Sequence, residues 1–387
     1  MTVLINNNNN KLLTHNGKLL IAPEQQIGIP RDVNNYTFQY PTSNFIFRLP
    51  NNVTNISSYT LYYAFINCTT ITEVDFNNPN TEMFFGEYAL EYAFKGCTNL
   101  TTISNLKLPE TITGRIFESA FNGCTSLTDV SFLSRIKAIT GSSSFSIAFA
   151  NTGITSLDLS NLENTIGSSG GLSQAFSSCH NLTTVDLRKL TTIDNSFLYM
   201  AFSRCENLSS VNLSSLTTVG SNCLYWAFLE CTSLTSMPLT ELTTVSGSSA
   251  MYYAFKNCTG LTGTLNFSKL KTINGWYAFY GAFGVSAEDL NYITSVSFPV
   301  LDTLTGSNAL KFCFEYRTAL TSISFPALTS TSFGSDTDQF NSMIRGITGC
   351  TVHFPSNLQS IIGGWNDVIA GFGGTNTTVL FDLAATE

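Results

Sequence analysis

The chain has 387 residues, 43% of them hydrophobic and only 11% charged, so it carries enough apolar material for a large interior. Its net charge of -8, from 18 Lys and Arg against 26 Asp and Glu, lacks the basic footprint that phosphate-backbone binding demands, which argues against nucleic acid as a partner. No apolar run approaches the roughly 20 residues that span a bilayer, which argues against membrane insertion.

Residues 1–45 carry no repeat. Met1 opens a polar stretch through Asn6–Asn10 where a secretory signal would place a basic region and an apolar core. Either another route carries the chain out of a cell, or a native signal has been replaced. Within this segment the Asn16-Gly17 pair stands between two apolar runs, Leu12-Leu13 and Leu19-Leu20, a β-hairpin signal.

From about residue 46 a repeat takes over. Ala-Phe recurs at Ala64-Phe65, Ala93-Phe94, Ala120-Phe121, Ala148-Phe149, Ala175-Phe176, Ala201-Phe202, Ala227-Phe228 and Ala254-Phe255, about 26 to 29 residues apart, with looser copies at Ala282-Phe283 and Cys313-Phe314. A large apolar residue precedes each Phe by four, as in Leu61, Leu90, Phe117 and Phe145, and this i, i+4 spacing predicts a short helix. Cys follows by three in most copies, and Leu or Ile by about six. The text then changes period to Leu182-x-x-Val185-x-Leu187-x-x-Leu190-x-x-Ile193, whose alternating centre predicts a strand. One copy cannot fold alone. Its four or five buried side chains, at roughly 1.5 to 3 kcal/mol each, fall short of backbone ordering at about 1 to 2 kcal/mol per residue, so copies must stack.

These columns resemble leucine-rich repeats, and specifically the bacterial BspA type, in which an Ala-Phe-x-x-Cys helix follows an extended turn. The copies here run longer, by a few Ser, Gly and Asn residues before the helix. The fold class that the resemblance implies is α/β: a leucine-rich-repeat solenoid with a parallel sheet on one face and short helices on the other. About ten to eleven turns occupy residues 46–350, between an amino-terminal attachment or capping segment, 1–45, and a carboxy-terminal cap, 351–387. In that cap Ile361 to Ala370 has the character of a helix and Thr378 to Leu383 that of a last strand.

Chemistry is scarce. One Cys per turn invites disulfides, but in-register rungs hold equivalent side chains parallel at about 4.8 Å, unlike the converging geometry that a disulfide needs. The column is better read as small buried plugs, and Thr152 in the same place fits that reading. Three histidines and no Cys-x-x-Cys leave no zinc pattern. No nucleophile motif or phosphate loop is present, so no catalytic residue, metal or cofactor is expected.

Binding surfaces remain. On the strand face the residue between Val and Leu points outward (Asp75, Ser131, Asp158, Asp186, Asn212, Pro238, Asn266, Ser297 and Ser324), a row of short polar groups that suits polar ligands, including sugars. Asp158 and Asp186, on adjacent turns, are also a candidate pair for a cation. The helix face carries Tyr225, Trp226, Tyr252, Tyr253, Trp276 and Tyr277, residue types favoured as binding anchors. Variation in this column, where Glu91, Ser146, Ser173 and Lys311 stand in for Tyr, suggests exposure. Candidate ligand-binding residues are therefore Asp158, Asp186, Asn212 and those six aromatics.

The expected function is non-enzymatic recognition of a cell-surface protein or polysaccharide. Residues 11–18 and Gly371–Phe381 resemble segments of gut-bacteriophage structural proteins, which implies a tail or baseplate fibre that docks on a bacterial receptor and contacts other virion proteins through residues 1–45, with a homo-oligomer as one form. The BspA resemblance alone implies a secreted or surface-anchored bacterial adhesin.

Overall fold

A computed structural model describes residues 4–6, 11–13, 42–49, 53–163, 165, 168–334, 338–362 and 374–384. The chain divides into two compact units, Met1–Leu182 and Thr183–Glu387. Each is a parallel β-solenoid of stacked repeats, as the columns require.

In the first unit the strands Phe45–Arg48, Ile71–Asp75 and Thr102–Ser104 form one parallel ladder, and Val74 pairs in register with Ile103. Two-residue strands make a second edge, Asn55–Ile56 with Phe84–Phe85 and Thr111–Ile112 with Ala138–Ile139. In the second unit Thr184–Asp186 pairs with Ser210–Asn212, and Thr262–Asn266, Tyr292–Ser297, Ser322–Ser324, Thr351–Pro355 and Thr378–Leu383 follow one another in parallel. Its second edge aligns Thr192, Thr218, Thr244, Thr272 and Thr303 in one row. The last strand, Thr378–Leu383, falls where the sequence places it.

The expected helices are not helices. Among the described residues the only α-helix is Gln359–Ile362, and the Ala-Phe segments are chains of turns. The backbone donors divide into two sets. In one segment the N–H groups of Tyr59, Leu61, Tyr63, Phe65 and Asn67 donate to the next repeat, to the carbonyls of Glu87, Ala89, Glu91, Ala93 and Lys95, at 2.6–3.2 Å. Those of Thr60, Tyr62, Ala64 and Cys68 donate three residues back within their own turn. The second unit repeats this alternation from Ser196 to Cys205. An α-helix would spend every donor on its own i-4 carbonyl. Here every fourth residue turns left-handed instead: Tyr59, Tyr63 and Asn67 have φ of 60°, 58° and 57°, and Ser196, Met200 and Arg204 have 62°, 52° and 61°. A four-residue period of turns brings Leu61 and Phe65 to the same side just as a helix would, so the i, i+4 pattern does not separate the two.

The interior is built from the same columns. Phe65, Phe94, Phe121, Phe149 and Phe176 stack face to face at 5.3–5.6 Å in the first unit. Phe202, Phe228, Phe255, Phe283 and Phe314 do so at 5.1–5.9 Å in the second. All ten cysteines are free and buried. The column thiols are donors as well as plugs. Cys97 Sγ–H points at the Phe65 carbonyl (3.0 Å), Cys124 at Phe94 (3.1 Å), Cys179 at Phe149 (3.2 Å), Cys231 at Phe202 (3.2 Å) and Cys258 at Phe228 (3.0 Å). Thr152 keeps a hydroxyl in the same place but donates within its own turn, to the Phe149 carbonyl at 2.7 Å, the carbonyl that Cys179 also reaches. Burial pushes the Cys124 thiol up to about 12 and that of Cys179 to about 11, so both keep their protons at neutral pH.

Of the remaining sequence expectations, the Asn16-Gly17 hairpin lies outside the described residues. The described antiparallel pair is Leu4–Asn6 with Lys11–Leu13. Ile361 and Ile362 are helical, and the rest of the expected capping helix lies outside the described residues.

Replacing Cys124 with Val removes the S–H donor and adds a branch to a filled column. The expected loss is about 1 to 3 kcal/mol, read as a lower urea midpoint at constant slope. Cys124→Ser, which keeps a donor as Thr152 does, is expected to lose less; a wild-type midpoint for the valine variant would remove the thiol's hydrogen-bonding role.

Candidate functional site

The strand-face residues prove to have local work. Asp75 Oδ1 accepts the N–H of Asn77 at 2.8 Å, Asp158 Oδ1 that of Ser160 at 2.9 Å, Asp186 Oδ1 that of Arg188 at 3.1 Å and Asn212 Oδ1 that of Ser214 at 3.2 Å. Each closes the strand end by an Asx turn. Where proline stands two residues on and no such N–H exists, as at Pro299 and Pro326, the column holds Ser297 and Ser324.

Charge on this face is also partly spent. Asp186 takes an ion pair from Arg188, whose hydrogen bond holds the carboxyl below its ordinary range. Asp75 is buried, which by itself raises its pKa; hydrogen bonds from Asn105, Arg48 and the Asn77 N–H outweigh that and leave it lowered. Asp158 is exposed. Among the described residues no three His, Cys, Asp or Glu side chains gather as a metal site.

The turn face is more informative. Tyr199, Tyr225, Tyr252 and Tyr280 form a ladder of parallel rings at 5.0, 4.6 and 4.6 Å, with interplanar angles of 15°, 5° and 4°. Tyr225, Trp226, Tyr252 and Tyr253 are half-buried against one another. Tyr253 also carries Lys256 over its ring at 4.3 Å. Tyr253 needs space in the next turn: a Cβ at Gly281, whose φ is +58°, would stand 2.0 Å from its ring. Trp276 and Tyr277 differ from these neighbours, with 64% and 40% of their surface exposed. Of the six aromatic candidates, these two offer free ring surface to a partner.

Beside them lies a polar cluster that the sequence did not single out. Asp338 Oδ2 accepts from Ser307 Oγ at 2.8 Å and Asn308 Nδ2 at 2.6 Å, and its Oδ1 accepts the Asn308 N–H at 3.1 Å. Only the stacking of turns brings residues 30 and 31 positions apart together.

In the first unit the variable column corrects the expectation of exposure. Glu91, at 9% exposure, and Glu118, at 8%, are buried. Burial, and then the neighbouring Glu118 charge, raise the Glu91 carboxyl to about 7, while Arg115 opposes the shift. The variation in this column reflects changing partners within the wall.

A carboxyl raised in the fold above its ordinary 4.5 binds more protons folded than unfolded, so its effect on stability turns unfavourable as pH climbs from about 4.5 through about 7. Glu91→Gln is expected to unfold at higher urea than the wild type at pH 8 and at nearly the same urea at pH 4. Equal midpoints at both pH values would remove Glu91 from the pH dependence.

Among the described residues no helix is long and apolar enough to cross a membrane. No curated protein matches the chain. Solved structures similar to it include a leucine-rich repeat protein from Bacteroides ovatus, at 17% identity over 87% of this chain and 92% of that one, with a TM-score of 0.43. A leucine-rich repeat protein of T. pallidum is 19% identical over 49% and 79%, with a TM-score of 0.31. A leucine rich cell surface protein from Faecalibacterium prausnitzii is 18% identical over 74% and 79%, with a TM-score of 0.27. The description "BspA type Leucine rich repeat region (6 copies)" matches residues 31–170, 87–225, 146–286 and 225–363, overlapping spans that take in most of the repeat region. The chain belongs to the BspA-type leucine-rich repeat family.

Proposed function

We propose that this protein is a non-enzymatic recognition and adhesion module that acts at a cell surface and binds a surface protein or polysaccharide. The observation that carries the reading is the turn face of the second unit. There a backbone ladder fixes a row of aromatic side chains, and Trp276 and Tyr277 project from it into solvent. Large aromatics at fixed spacing on a rigid support bind with little loss of side-chain freedom. The Asp and Asn residues of the strand face serve their own turns first, so the turn face is the better candidate for contact.

A bacterial adhesin, secreted or anchored, is the version that sits closest to the family. A bacteriophage tail or baseplate fibre is the second reading, supported by the amino-terminal antiparallel pair Leu4–Asn6 with Lys11–Leu13, which departs from the parallel ladders that follow. On that reading residues 1–45 attach the module to other virion proteins. On either reading residues 351–387 are the cap of the second unit; their strands Thr351–Pro355 and Thr378–Leu383 carry its parallel ladder onward.

Light scattering on the full chain and on a variant lacking residues 1–41, which spares Phe45–Arg48, separates the two readings. A full-length oligomer that becomes a folded monomer on deletion is the expected result for a fibre. Two monomers are the expected result for an adhesin. In parallel, fluorescently labelled full chain is titrated onto bacterial cells and onto mucin-coated wells. Saturable binding to at least one surface is expected, and its absence from both would sink the recognition reading.

A further inference from the structure

Along the turn face of the second unit most aromatic faces are already occupied. Tyr225 lies between Tyr199 and Tyr252, and Tyr252 between Tyr225 and Tyr280, so these rings show solvent only their edges. Trp276 occupies a different column. The Ser249 N–H donates to the Trp276 carbonyl at 2.8 Å and the Tyr277 N–H donates to the Ser307 carbonyl at 3.0 Å, which sets Ser248 and Ser307 at the equivalent positions one turn either side. Two serines are too small to cover an indole. Among the described residues no ring packs on Trp276, and its exposure of 64% follows from that.

The flank is as particular as the ring. Ser307, Asn308 and Asp338 form a hydrogen-bonded cluster on the next turns, yet Asn308 Oδ1 is buried with no hydrogen-bond partner. An orphaned acceptor of this kind has given up water without replacement. A ligand that suits the place brings a flat apolar face for the indole and, beside it, hydroxyl groups that donate to the partly exposed Asp338 carboxylate, since Asn308 Oδ1 is closed to solvent. An apolar side chain from a protein satisfies the first need and leaves the second unmet.

We infer that Trp276, with Tyr277, Ser307, Asn308 and Asp338, forms a carbohydrate-binding site in which a pyranose ring lies on the indole and its hydroxyls reach the carboxylate. The inference rests on the recognition reading and narrows it, naming the ligand class and the place. The apolar C–H face of the sugar takes the indole face, which no neighbouring ring competes for. A polymer laid along the stacked turns would meet this platform once, which sets a weak intrinsic affinity that a multivalent surface strengthens.

The test is calorimetric titration of the full chain with methyl glycosides of glucose, galactose, mannose and N-acetylglucosamine, each to about 50 mM, with affinities in the range of about 1 mM expected. At least one is expected to bind. Trp276→Ala is expected to weaken that sugar by at least about tenfold, Trp276→Phe to retain most of the affinity and Asp338→Asn to lose part of it. Circular dichroism and urea midpoints are expected to stay unchanged for the exposed Trp276 variants. No binding by any glycoside, or wild-type affinity in Trp276→Ala, overturns the site. If the wild type still saturates cells or mucin in that event, recognition survives and only the carbohydrate site falls; if it does not, both fall together.

Discussion

Half the backbone N–H groups of each Ala-Phe segment are given away to the neighbouring repeat, and nearly everything else in the fold follows from that division. A segment that keeps all its donors, as a helix does, is complete in itself and packs on its neighbours only through side chains. A segment that sends Leu61, Tyr63 and Phe65 outward to Ala89, Glu91 and Ala93 is incomplete without the next turn. The arrangement requires a left-handed residue every fourth position, which costs a non-glycine residue about 1 to 2 kcal/mol. The cost is accepted at residues as unsuited to it as Tyr63, Trp226 and Ile147. What offsets it is a ladder of buried hydrogen bonds on a third side of the coil, beside the two strand edges.

Once backbones are locked in register, side chains of one column have no choice but to meet. Phenylalanines stack because the turns place them about 5 Å apart, and the tyrosines outside them do the same. The Cys column answers a more local demand. Its thiol is small enough to be buried in the column and still carries a proton for the Phe carbonyl of the turn before. A methyl group there would fill the space without donating, and a disulfide would pull two turns out of register.

Much of this was legible in the sequence, and the failures have physical causes. Columns of identical residues gave the stacking, the buried thiols and strands such as Thr184–Asp186 and Thr378–Leu383, because side-chain burial is what a column records. The turn segments were misread as helices because inward positions at i, i+3 and i+4 arise equally from 3.6-residue helical turns and from turns closed every four residues. A second signal was present in the left-handed columns: Asn67, Gly96, Gly123, Asn151 and Ser178 stand two residues after their Phe, types that tolerate positive φ. The outward Asp and Asn residues looked like a ligand surface because sequence shows a side chain's exposure better than its hydrogen bonds to the backbone two residues on. Among the aromatics, sequence supplied Trp276 and Tyr277 but could not separate them from Tyr225 and Tyr252, since the difference lies in what occupies the neighbouring turns. Asn308 and Asp338 were beyond its reach, as no local motif links residues 30 apart.

In an array of this kind the breaks in a column carry the information, and two breaks in the second unit show how to tell repair from function. At the place of the column thiol after Phe314 stands Arg317, fully buried, its Nε donating to the Phe283 carbonyl at 2.6 Å and its Nη2 to the Cys258 carbonyl at 3.1 Å. Burial lowers its pKa to about 10, which still leaves it charged at neutral pH. It does for Phe283 what Cys97 does for Phe65, and reaches one turn further because the copy between has Ser286 where a thiol would stand. Its Nε and Nη2 are spent on the fold's own carbonyls, while its buried Nη1 has no hydrogen-bond partner. Trp276 breaks a column of serines in the opposite sense: it adds surface the interior does not use, 64% of it exposed, and among the described residues no ring packs on it. A break whose side chain is buried against the fold's own carbonyls repairs the coil, whereas one whose side chain stands in solvent leaves surface free for contact.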